Sequence, residues 1–105
     1  MSDCIVVMTT TKTKEEAVKI AYEILNNKLG TCVQIIGPID SIYRWHGKIE
    51  RAQEYQLQIK SIQSAFKALD SHIREMHSYE VPEIIVLPIV DGSMTYLNWV
   101  RDELK

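Results

Sequence analysis

The sequence predicts an α+β sandwich of strand and helix order βαββαβ, with one extra helix at the C-terminus. Three observations carry this: hydrophobic spacing that alternates between strand-like and helix-like periods, a Thr-x-x-Glu helix start directly after the first β-prone run, and a chain reversal at His46-Gly47 between two long β-prone stretches. At 105 residues and 46% hydrophobic composition, the chain suits one domain, 1–105, with a core of its own.

Cys4 to Thr10 is rich in Val, Ile and Thr and reads as a strand. Thr13-Lys14-Glu15-Glu16 then has the spacing of a capping box, and Ala17, Ile20, Ala21, Ile24 and Leu25 recur at helical steps. The first helix is predicted from Lys14 to Lys28, with Gly30 as its left-handed cap. A second strand runs from Thr31 to Trp45 and is bent or bulged at Gly37-Pro38, where proline lacks an N–H. After the His46-Gly47 turn comes a third strand, with Tyr55, Leu57 and Ile59 on one face and Gln56, Gln58 and Lys60 on the other. Ile62, Phe66, Leu69, Ile73 and Met76 step by four and three, marking a second amphipathic helix that ends near His77. Pro82 to Val90 is the fourth strand, and Pro88 suggests an edge position or a bulge. Asp91-Gly92-Ser93 turns the chain and supplies an N-cap at Ser93 for a short last helix with Tyr96, Leu97, Val100 and Leu104 on one side. This is the order of the split βαβ, ferredoxin-like sandwich, in which two helices cover one face of a four-stranded antiparallel sheet.

Charge and cysteine content exclude several function classes. Twelve basic and 14 acidic residues are interspersed to a net charge of -2, so no basic field exists to hold nucleic acid. Met1-Ser2-Asp3 places an acid where a signal peptide needs positive charge, and the apolar run after it is too short for a membrane span; a cytoplasmic protein with no membrane partner is expected. Cys4 and Cys32 lie 28 positions apart without nearby Cys or His spacing, which reads as buried thiols rather than a disulfide frame or zinc knuckle.

Cys4 to Met8 and Ile84 to Leu87 are apolar at every position, whereas a two-layer sandwich buries only one sheet face. The second face needs a cover, and the simplest is another copy of the chain, so a homo-oligomer is expected. The octapeptide Tyr43 to Glu50 gathers aromatic, imidazole, amine and carboxylate groups around one reversal. A Trp at such a tip has little of its own subunit to pack on, which makes Trp45 an anchor for a neighbour.

Four motifs stand in one register: the hairpin Tyr43-x-Trp45-x-Gly47-Lys48-Ile49-Glu50, the strand Leu57-x-Ile59-Lys60, the loop His77-x-Tyr79-Glu80-Val81-Pro82-Glu83 and the tail Tyr96-Leu97-x-Trp99. In order and spacing they resemble the CutA divalent-cation-tolerance family. The resemblance implies a ferredoxin-like protomer in a homotrimer whose long hairpins reach onto neighbouring subunits, a shape shared with the PII signalling proteins. It also implies a role in the response to metal ions, copper above all. Two places depart from the family pattern. Ser78 stands where proline usually follows the loop histidine, which implies a looser loop, and the positions that family metal sites draw on hold Met8 and the pair Met76-His77.

His77, just past a helix C-terminus, is the leading metal ligand, with Met76 and Glu80 beside it; thioethers suit Cu(I). Trp45, Glu50, Glu54, Lys60, Tyr79, Tyr96 and Trp99 are candidates for an intersubunit cleft that takes a small ligand or protein partner in the PII-like alternative. His46 reads as a turn residue and His72 as a solvated one, while Met8, Met76, Met94 and Cys32 fit core packing better than a sulfur site. Glu54, Lys60 and His77 are the groups an enzyme would use. No phosphate loop, HExxH, CxxC or nucleophile elbow is present, so catalysis is not expected, nor any organic cofactor.

Overall fold

The computed structural model describes residues 3–105. The N-terminal reading of Met1 and Ser2 lies outside them. Strand β1 spans Cys4–Thr11, helix α1 Lys14–Asn26, β2 Cys32–Trp45, β3 Lys48–Ile62, α2 Phe66–Met76, β4 Ile85–Pro88 and α3 Met94–Asp102, with a 3-10 turn at Gln63–Ala65 before α2. The sheet is antiparallel in the order β2-β3-β1-β4, the expected sandwich. β4 is an edge strand, which is where Pro88 is tolerated.

Alternation along the strands sets the two faces. Ile5 and Val7 of β1 and Leu57 and Ile59 of β3 are buried against Ala17, Ile20 and Ile24 of α1 and Leu69 and Ile73 of α2. Burial of this cluster is the main source of stability, at roughly 1.5–3 kcal/mol per large aliphatic side chain. Among the described residues the opposite face is covered only at one end, where Leu97 and Val100 of α3 pack on Cys4, Ile62 and Ile89. Elsewhere on that face Ile85 and Leu87 are 44% and 48% exposed.

Helix α1 begins as expected: the Thr13 hydroxyl accepts from the Glu16 N–H at 3.1 Å. Its end differs. Lys28, not Gly30, takes the left-handed position (φ 53°), and the N–H groups of Lys28 and Leu29 close onto the carbonyls of Leu25 and Ile24 in a Schellman motif. Gly30 is required for another reason. A Cβ there would lie 2.8 Å from Ile59 Cγ2 and 3.0 Å from Ile24 Cγ2, so the chain passes too close to the helix–sheet interface for any side chain.

Other bounds shift for physical reasons. Ile62 ends β3 and packs under α3 rather than opening α2. The fourth strand is shorter than Pro82–Val90 because the ladder with β1 runs over Ile85–Pro88, followed by one bond from the Ile89 N–H to the Cys4 carbonyl. Ser93 sits at the start of α3 but its hydroxyl makes no capping bond. The bulge falls between Ile36 and Ile39, at the expected Gly37-Pro38. Beyond it β2 and β3 continue as a long arm closed by a two-residue turn in which His46 and Gly47 both have positive φ (50° and 79°), the geometry that follows the strands' twist.

Candidate functional site

His77 caps α2 in an extended conformation, which turns its ring inward under the end of β1. The side chain is 0% exposed. Nε2 lies 2.7 Å from the Thr10 carbonyl oxygen, and Nδ1 receives the Tyr79 N–H at 3.1 Å. A carbonyl can only accept and an amide N–H can only donate, so the hydrogen sits on Nε2 and the Nδ1 lone pair is occupied. The Glu16 carboxylate stands 3.7 Å from Nδ1.

The loop after His77 is fastened from a second direction. Glu16, the last residue of the capping box, does not reach back to Thr13; its carboxylate accepts from the Ser78 N–H at 2.9 Å and the Ser78 hydroxyl at 3.0 Å. The looser loop expected from Ser78 is therefore corrected, because the serine supplies hydrogen bonds that tie α2's exit to the first turn of α1.

Tyr79 stacks at 4.9 Å on the His77 ring and donates its hydroxyl to Glu54 Oε2 at 2.7 Å. Glu54, on β3, is 8% exposed. Burial first, and then the Glu54 carboxylate, push the Tyr79 phenol well above the usual tyrosine range, so it remains a donor at any physiological pH. Partial burial, with Glu54's charge nearby, also pushes the Glu83 carboxyl up.

Glu54, Tyr79 and Glu83 line a cleft of about 550 Å³ between the hairpin arm and the loop of residues 78–83. Tyr43 and Trp45 project from one face of the arm to form its aromatic wall, and Glu80 and Glu83 stand on the loop side.

The expected cleft residues divide into two groups. Trp45, Glu54, Tyr79 and Glu80 meet in the cavity. Lys60 is six residues along β3 from Glu54, roughly 20 Å away at strand rise, and donates to Gln34 Oε1 at 2.7 Å. Tyr96 and Trp99 pack ring to ring at 5.5 Å on α3, where burial and the neighbouring Cys32 raise the Tyr96 phenol. Glu50 is exposed on the arm opposite Tyr43, outside the lining. Within one chain, Lys60, Tyr96 and Trp99 form a separate end of the molecule.

The Met76-His77-Glu80 set does not fit a metal as placed. Met76 packs against the core cluster, both His77 nitrogens are engaged, and Glu80 is exposed at the cleft rim. Among the described residues no three His, Cys, Asp or Glu side chains are grouped to hold an ion. Sequence reasoning passed over Tyr43, Glu83, Ser78, Glu16 and Thr10 as site residues. The first two carry a signal, Tyr43 through its two-residue spacing from Trp45 and Glu83 through the loop motif; the Thr10 carbonyl has none.

A family model described as CutA1 divalent ion tolerance protein matches residues 5–103. The chain belongs to that family. Among CutA relatives, the chloroplastic CutA protein of Arabidopsis thaliana is 41% identical over 96% of this chain, which spans only 56% of that protein's length. The divalent-cation tolerance protein CutA of Thermus thermophilus is 39% identical over 92% of this chain and 94% of its own. The periplasmic divalent cation tolerance protein CutA from Archaeoglobus fulgidus superimposes with a TM-score of 0.94 at 34% identity, covering 97% of this chain and 99% of that one. The chloroplastic and periplasmic names depart from the cytoplasmic setting expected here. Among the described residues no helix is long and apolar enough to cross a membrane.

Proposed function

We propose that this chain acts as a homotrimer in the response to divalent cations, binding copper or a related ion weakly as an effector through ligands drawn from more than one subunit. The observation that supports this most is the uncovered apolar surface. Ile85 and Leu87 on the open sheet face, Ile42 and Ile49 on the arm, and Tyr96 and Trp99 on α3 are between 38% and 70% exposed, a surface that three copies of the chain would bury. Assembly would also bring one subunit's arm to the Lys60–Tyr96–Trp99 end of another. His77 keeps a structural role in this arrangement, and catalysis has no part in it.

Copper titration calorimetry tests the proposal. The assembled protein should take up copper with a stoichiometry tied to the trimer, and Leu87→Asp, which places a charge on the open face, should dissociate the assembly and abolish uptake while the chain stays folded. Undiminished uptake by a folded monomer would refute it.

A second reading is supported by the cleft itself. At about 550 Å³ it falls within the range of small-molecule sites, and the trimer would then be a PII-like scaffold whose ligand occupies that cavity.

A further inference from the structure

Resting on this second reading, we propose that the cleft between the hairpin arm and the 78–83 loop binds a small organic cation, a primary ammonium or guanidinium group on an apolar stem.

Glu54 carries the charge that selects such a ligand. It is 8% exposed, and Tyr79 supplies its one hydrogen bond, to Oε2; among the described residues nothing donates to Oε1 and no cationic side chain pairs with it. Oε1 is not among the buried unpaired atoms, so it opens onto the cleft, where a cation can pair with it while the rest of the side chain is shielded from water. Among the described residues its surroundings offer none: Glu80 and Glu83 line the same cavity, and no Lys, Arg or His does.

The remaining walls fit an organic cation better than a bare metal ion. Tyr43 and Trp45 present half-exposed rings to the cavity, and an aromatic face attracts an ammonium or guanidinium within about 6 Å of its centre. Val81 gives the stem an apolar surface. A hard divalent ion instead needs six or so oxygens within about 2.6 Å, and the three carboxylates are not grouped that way. Anions are excluded by the charge of the lining.

Butylammonium and butylguanidinium chloride, with butanol and butyrate as neutral and anionic counterparts of the same stem, provide the probes. Trp fluorescence and calorimetry on the full chain should show saturable binding of the two cations with Kd of about 1 mM or tighter, and none of butanol or butyrate. Glu54→Gln, which keeps the shape and an oxygen for Tyr79, should weaken binding at least tenfold, and Glu83→Gln on the exposed rim should weaken it by a smaller factor. Equal binding by Glu54→Gln, or stabilisation by butyrate or butanol rather than the cations, would overturn the proposal but leave the cleft as a ligand site. A thermal-shift screen of anionic, neutral and cationic metabolites in which nothing stabilises the protein would sink both.

Discussion

Replacing His77 with Ala separates the structural role of this residue from a metal-binding one. The substitution removes the acceptor of the Tyr79 N–H and the donor to the Thr10 carbonyl, both at a ring that is 0% exposed. Each lost hydrogen bond is worth about 1 kcal/mol net, and leaving a buried partner unsatisfied costs about 1–3 kcal/mol. The Tyr79 ring also loses its stacking partner, and its hydroxyl is what holds Glu54. Water entering the vacated space offsets part of this, which leaves a loss of about 3 kcal/mol. Urea unfolding followed by circular dichroism measures it, at one fixed protomer concentration because assembly adds to apparent stability by mass action. The same variant should bind copper with unchanged stoichiometry and affinity. A stability change within about 0.5 kcal/mol, the range of ordinary surface substitutions, accompanied by a tenfold or greater loss of copper affinity would refute the reasoning.

Spectroscopic titration of the five tyrosines should show two lagging behind the rest, Tyr79 furthest. Because the unfolded chain releases the Tyr79 proton near pH 10, before the folded chain does, the folded state binds more protons above that pH and stability falls as pH rises; Tyr79→Phe should remove the slowest phase and reduce that fall. The Thr9 hydroxyl is buried with no hydrogen-bond partner among the described residues, so Thr9→Val should raise stability by about 1 kcal/mol in the same urea assay. Gly30→Ala should lower it by about 1–3 kcal/mol, since the new methyl meets Ile59 and Ile24, both fully buried.

The sequence made the fold legible where local signals and tertiary packing agree. Thr13 capped α1, the Gly37-Pro38 bulge and the His46-Gly47 reversal appeared where their chemistry placed them, and apolar alternation assigned the helix-covered face. It was less informative where long-range packing decided the outcome. Ile62 continued a helical spacing by coincidence, yet strand pairing with Cys4 extended β3 through it. Gly30 looked like a helix cap but is small because Ile59 approaches it across the sheet. At the site, side-chain chemistry singled out Trp45, Glu54 and Tyr79, and the fold brings these three together in one cleft. The inward anchoring of His77 was not legible because its two partners are backbone groups, a carbonyl and an amide, and those carry no residue-type signal. Lys60 shares a strand with Glu54, but alternation reports which face a residue is on and says nothing about distance along it.

Sedimentation equilibrium across a wide concentration range tests the trimer most directly. A species of three times the 12.1 kDa chain mass is expected down to the lowest concentration at which the chain remains folded. A folded monomer with Ile85, Leu87 and the hairpin arm open to water would contradict it.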